Sequence, residues 1–223
     1  MAMGPQTAQA EAYFANALLP ALARLGLGPV GAFKLEYGPE TPAYYLLLPG
    51  KAAEDLATVD LRLAEDTEFL KQGPAFWSAP AATPAFHRVE TSLLLAFSGW
   101  PQITATHDSS PSPKRIFQLR TYESPSHAAH VRKLEMFNHG EFDIFQKNGL
   151  HPVFFGETLI GPRMPSLTYM LTFSGLPELE ANWAAFVADP AWKKLSTDPR
   201  YSYESIVSSI TNLLLTPLAC SQI

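Results

Sequence analysis

Arg120 and Tyr122 stand two residues apart in Ile116–Tyr122, a run in which apolar and polar side chains alternate. On a strand, alternate residues share a face, so Gln118, Arg120 and Tyr122 are expected side by side. A guanidinium is always charged, and its fork of N–H donors matches a carboxylate or phosphate. The structural alternative is that Arg120 pairs with an acid such as Glu157 and pins the sheet. Glu157 lies within Phe154–Ile160, where a carboxylate is costly if it is buried and unpaired. There it would act as a general base, form an ion pair or occupy an exposed edge. Tyr169, in a third β-rich run, joins these residues as a pocket candidate.

The histidines offer less. His127 and His130 lie about 60° apart on a helical wheel and could share a metal, but no third ligand is near. His139, with Glu135 and Asp143, reads as a solvated helix face that could hold a divalent ion, so no metal site is predicted. There is no Gly-x-Ser-x-Gly elbow, no cysteine beside a histidine and no glycine-rich phosphate loop, which argues against hydrolase triads and nucleotide folds. The single cysteine, Cys220, excludes an intramolecular disulfide and has no activating neighbour.

The elements that carry these residues emerge when the chain is slid along itself. At a constant offset of 123, Phe14 falls on Phe137, Gly26-Leu27 on Gly149-Leu150 and Pro29-Val30 on Pro152-Val153. Gly38-Pro39 falls on Gly161-Pro162, Pro42 on Pro165, Leu48 on Leu171, Leu56 on Leu179 and Asp66 on Asp189. Many of these are turn-forming residues, so the repeated property is backbone geometry.

The second copy reads β-α-β-β-α-β: a strand over 116–122, a helix over about 126–148 stopped by Gly149, and strands over 153–160 and 167–173. A helix opened by Pro177 follows, then a short turn at Trp192 and a last strand within 206–215. The first copy predicts a helix over 7–25, strands at 30–37 and 43–48, a helix over 52–64 and a strand over 88–97. A counterpart of the opening strand would fall before residue 1, so copy one is expected to lack it. The domain plan is therefore an N-terminal repeat over 1–98, a linker over 99–114 and a second repeat over 115–223.

Each repeat is ferredoxin-like, four strands with both helices on one face. If Phe117 and Leu119 meet the helices, the polar residues of 116–122 face the open side of the sheet. The other copy's sheet would cover that side, giving an α+β fold in which two units pack sheet to sheet as an α/β barrel around a polar-lined cavity. Position 157 aligns with Lys34, a further pocket candidate, so the two halves are chemically unequal.

Composition sets the outer limits. In 223 residues, 47% are hydrophobic and 17% charged, which fits a packed globular protein rather than a disordered one. The net charge of −5, with no basic run, speaks against nucleic-acid binding. No apolar stretch approaches the roughly 18 residues of a membrane span, and Met1–Gln6 has no export-signal pattern.

Phe117-Gln118-Leu119-Arg120-Thr121-Tyr122 resembles the opening strand of NIPSNAP domains, commonly Glu-Leu-Arg-x-Tyr. Gly161-Pro162 and Trp183-x-x-Phe186-x-x-Asp189-Pro190-x-Trp192 are similar to the family's turn and closing signature. The likeness covers about residues 115–195, with Gln118 in place of the usual Glu. In copy one, Thr67-Glu68-Phe69 stands where Pro-x-Trp would be.

The resemblance implies a dimeric α/β-barrel fold built from two fused copies, related to small monooxygenases and haem proteins. It carries over no catalytic residue. The expected function is small-molecule binding between the sheets. The rivals are a cofactor-independent monooxygenase or isomerase acting on an apolar or aromatic compound, and an interaction module without a ligand. No cofactor is predicted; haem ligation, with His151 and His87 the best placed, rests on fold analogy alone. Self-association into a homo-oligomer is a further expectation. The compartment reads as cytoplasmic from the sequence as written, or periplasmic if an export signal precedes it, as it often does in bacterial tandem members.

Overall fold

The structure, a computed structural model, describes residues 5–38, 40–104 and 115–223. Of the linker expected over 99–114, residues 105–114 lie outside these. The fold class is α+β. The chain divides into two compact units, Met1–Thr91 with Leu215–Ile223, and Ser92–Leu214.

The N-terminal unit opens with helix α1 (Pro5–Tyr13), which runs through a π-helical turn, Phe14–Leu18, into α2 (Leu19–Arg24). Strands β1 (Gly31–Leu35) and β2 (Tyr44–Leu47) follow as an antiparallel pair. Four short helices come next: α3 (Ala53–Ala57), α4 (Val59–Glu65), α5 (Thr67–Gln72) and α6 (Pro74–Trp77). Tyr13, Phe14, Leu22, Leu63 and Phe69 are buried in this unit's core.

The C-terminal unit begins with strand β3 (Leu93–Ala96). It continues with β4 (Ile116–Glu123), helix α7 (His127–Met136), a π-helical turn at Phe137–Glu141 and α8 (Phe142–Lys147). Strands β5 (His151–Ile160) and β6 (Ser166–Phe173) lead to helices α9 (Leu176–Ala188), α10 (Pro190–Ser196) and α11 (Tyr203–Ile206). The last strand is β7 (Ser209–Pro217). In this unit β4 lies between β6 and β7, β5 flanks β6, and β3 closes the far edge against β5. The final residues of β7, Leu215–Pro217, pair with β1 in the N-terminal unit. Among the described residues no helix is long and apolar enough to cross a membrane.

The offset of 123 survives in atomic detail. Both units depart from regular α-helical winding at matching positions, Phe14–Leu18 and Phe137–Glu141, and the second is additionally kinked at His139–Gly140. Gly26 and Gly149, the residues after each helix, adopt φ of 75° and 70°, which glycine tolerates without strain.

One ion pair also repeats. Arg24 Nη2 lies 2.6 Å from Asp66 Oδ2, and Lys147 Nζ lies 2.8 Å from Asp189 Oδ2. Each aspartate also caps a helix, accepting from Phe69 N at 2.9 Å and from Ala191 N at 2.8 Å. The matched pair of Asp66 and Asp189 is thus a device that ties the end of the first helix to the start of a later one.

Lys147, Asn148 and the Ala191 amide hold the Asp189 carboxyl down at about 2, below its ordinary 3.8. A depressed acid stabilises the fold above its unfolded value, and that support is lost as pH falls through the folded one. Asp189→Ala is therefore expected to melt lower than wild type at pH 5. The gap should close between pH 4 and pH 2 in a series of thermal melts.

Candidate functional site

Gln118, Arg120 and Tyr122 share one face of β4, as alternation requires, but that face meets the helices. Trp183 of α9 donates from Nε1 to Gln118 Oε1 at 2.7 Å, and the Arg120 Cζ lies 4.7 Å from the centroid of the Trp183 ring. The expected orientation is therefore reversed, and Thr121, on the other face, pairs with Thr168 across the strands at 2.9 Å. Alternation separates two faces without saying which one the helices cover. What decides it is that α7 and α9 bring polar groups inward, and these need partners when buried.

The result is a cavity of about 270 Å³ between the sheet and the helices of the C-terminal unit, rather than between two sheets. Arg120 and Tyr122 form its floor, Lys133 and Glu141 one wall, and Trp183, Phe186 and Trp192 another. Val187 and Tyr203 are 58% and 41% exposed, so solvent reaches the cavity on their side.

The floor is a hydrogen-bonded chain. Arg120 donates from Nη2 to the Tyr122 hydroxyl at 3.0 Å, and that hydroxyl lies 2.9 Å from the Tyr169 hydroxyl. The Tyr203 ring stands edge-on to Tyr122, with centroids 6.5 Å apart. Tyr122 accepts from Arg120 and shares one further hydrogen bond with Tyr169. Burial pushes the Tyr169 and Tyr203 phenols up, which keeps them neutral at physiological pH. No carboxylate lies within ion-pair distance of Arg120 among the described residues, and its Nε is buried without a hydrogen-bond partner.

The wall holds two buried charges. Lys133 is 0% exposed and its Nζ donates to Glu141 Oε2 at 2.8 Å. The same Nζ lies 4.3 Å from the Phe137 ring centroid and 3.5 Å from Met136 Sδ. In an unbroken α-helix, residues eight apart are separated by about 12 Å along the axis. The π-helical turn, with Gly140 at φ 138°, interrupts that regularity just before Glu141. The break and the reach of two long side chains bring the charges together. Burial raises the Glu141 carboxyl above its ordinary value, while Lys133 and Arg120 pull in the opposite direction.

Glu157 is not Arg120's partner. Its Oε1 lies 3.3 Å from Nε2 of His130, a buried residue of α7. Desolvation lowers the His130 pKa below 6.5, with Glu157 opposing it and His127 adding to it. Lys34 belongs to the N-terminal unit, on β1, with Nζ 3.9 Å from Glu11. Gln118, Arg120, Tyr122 and Tyr169 are thus drawn together, and Glu157 and Lys34 are not.

Four cavity residues are not among those the sequence singles out: Lys133, Glu141, Val187 and Tyr203. A signal for the first existed. Lys133 sits on the stripe of Ala129, Met136 and Phe137, where a helix presents its core face, and its counterpart in copy one is Ala10.

Among the described residues no three His, Cys, Asp or Glu side chains gather as a metal site would need. His127, His139, His87 and His151 are all exposed. Burial pushes the Cys220 thiol up, away from thiolate reactivity.

Two predictions follow from these pairs. Lys133→Met leaves a buried carboxylate alone and should cost about 3–5 kcal/mol in urea unfolding. Adding Glu141→Leu should recover most of that loss, because it removes the stranded carboxylate, and copy one buries Ala10 and Leu18 at the matching positions. His130, with its lowered pKa, binds its proton more weakly folded than unfolded. Stability should therefore fall as pH drops below 6.5, and His130→Gln should flatten that slope.

The NIPSNAP family pattern matches residues 117–222. Among solved structures, a candidate monooxygenase from Lactobacillus acidophilus is 10% identical, with 95% of this chain and 86% of that one covered at a TM-score of 0.56. At that identity the likeness concerns the fold alone. A NIPSNAP family protein of unknown function from Agrobacterium tumefaciens is 17% identical over 49% of this chain and 95% of its own, at a TM-score of 0.43. A NIPSNAP-like domain protein from Burkholderia xenovorans is 17% identical over 47% and 86%, at 0.42. No curated protein matches the chain. Residues 117–222, the stretch that matches the NIPSNAP pattern, hold the cavity and every group that lines it.

Proposed function

We propose that this protein binds a small apolar or aromatic compound carrying one acidic group, in the cavity between the sheet and helices of its NIPSNAP domain. The observation that carries the reading is Arg120, a permanent charge inside the unit whose hydrogen-bonded partner is a neutral phenol and whose Nε is unpartnered. A buried donor without an acceptor is costly, and a ligand carboxylate would satisfy it through a charge-assisted bond.

The charge balance agrees. Arg120 and Lys133 face a single carboxylate, Glu141, so the lining is cationic whether Glu141 is ionised or not. Trp183, Phe186 and Trp192 supply the apolar contact for the body of the ligand. The volume, near the lower end of the ~300–1,000 Å³ of drug-sized pockets, suits a compact molecule. A pure interaction module has no need of a guanidinium held in this way.

Phenylacetate and its neutral relative 2-phenylethanol test the reading by calorimetry. Phenylacetate should bind and the alcohol should bind more weakly. Arg120→Ala should weaken phenylacetate roughly 10- to 100-fold, the range of a hydrogen bond to a charged group. Equal binding of acid and alcohol, or an indifferent Arg120→Ala variant, would refute the anchoring role.

A further inference from the structure

The Lys133–Glu141 pair is not explained by folding. At the same repeat position the N-terminal unit winds without a kink and carries Ala10 and Leu18, both buried, where the C-terminal unit breaks at His139–Gly140 and carries Lys133 and Glu141. Replacing a buried ion pair with apolar residues is often neutral or stabilising, so the fold does not require the charges. They also sit in the cavity wall, and the residue before Glu141 takes a backbone conformation that favours glycine. A carboxylate and an ammonium 2.8 Å apart, facing a cavity with a carboxylate anchor on its floor, are the parts of a proton relay.

We propose that the cavity interconverts the keto and enol forms of an aromatic 2-oxo acid, with Glu141 as the proton carrier and Lys133 as its relay. This rests on the anionic-ligand reading above. Arg120 takes the ligand carboxylate, and the tryptophan wall takes the ring. Glu141 removes a proton from carbon 3. The electron pair of that C–H bond forms the C2–C3 double bond, and the carbonyl π pair moves onto oxygen. Lys133 gives a proton to that oxygen and regains one from Glu141. Nothing is consumed, so the step needs no oxidant, metal or co-reactant. The direction of the Glu141 shift fits, since burial strengthens the carboxylate as a base.

The test is loss of the carbon-3 proton signal of phenylpyruvate in D₂O, followed by NMR near neutral pH, with binding measured on the same samples by calorimetry. Wild type should exchange the proton faster than buffer. Glu141→Gln, which keeps a hydrogen-bonding group beside Lys133, should slow the enzyme-dependent exchange by about 100-fold or more. The Lys133→Met/Glu141→Leu double variant should remain folded and exchange at the buffer rate.

Phenylpyruvate that binds but exchanges at the buffer rate, or exchanges equally with Glu141→Gln, overturns the proton-transfer proposal and leaves the binding reading standing. If neither phenylpyruvate nor phenylacetate binds, both fall.

Discussion

Taking an ammonium and a carboxylate out of water costs several kcal/mol for each ion, and mutual attraction repays this only when their geometry and hydrogen bonds are good. Lys133 and Glu141 meet that condition at 2.8 Å, with an aromatic ring and a thioether taking up more of the ammonium. Much of the C-terminal unit is arranged around the need to hold these two groups. The helix breaks its regular winding at Gly140 so that Glu141 follows on the right side, and β4 turns its polar face inward to meet them. The aromatic rings of Trp183, Phe186 and Trp192 line the rest of the cavity.

The tandem repeat acts as an internal comparison. Both units use the same left-handed glycine after the helix and the same aspartate that caps one helix while pairing with the end of another. Those shared features are what the backbone needs. Differences that fall at the cavity include Lys133 against Ala10, Glu141 against Leu18 and Trp192 against Phe69. The break at His139–Gly140 is likewise confined to the copy that carries the two charges.

Arg120 links the two themes. Its guanidinium lies against Trp183 and Tyr122, and its Nη2 donates to Tyr122, whose hydroxyl also bonds to Tyr169. Cation–π contact and a phenol support a charge without neutralising it. The side chain is therefore held rigid and remains able to accept an anion, which is what a pre-organised binding group requires.

The residues alone were enough to determine the βαββαβ order of the second copy and most element positions, but the strand expected to close copy one at 88–97 belongs instead to the C-terminal unit, as β3 paired with β5. Glycine, proline and apolar periodicity act locally, and they occur twice at one spacing. They also drew Gln118, Arg120 and Tyr122 onto one face, because alternation along a strand is fixed by backbone geometry. Which face met the helices was legible only in three dimensions, since Phe117 and Gln118 are both almost fully buried and pattern cannot rank them. The pairing of Glu157 with Arg120 failed for the same reason. An ion pair joins residues whose separation depends on how elements pack, and Glu157 instead meets His130 from another element. Tertiary structure alone joined Lys133 to Glu141, because the contact depends on a helix abandoning the 3.6-residue period by which sequence is read.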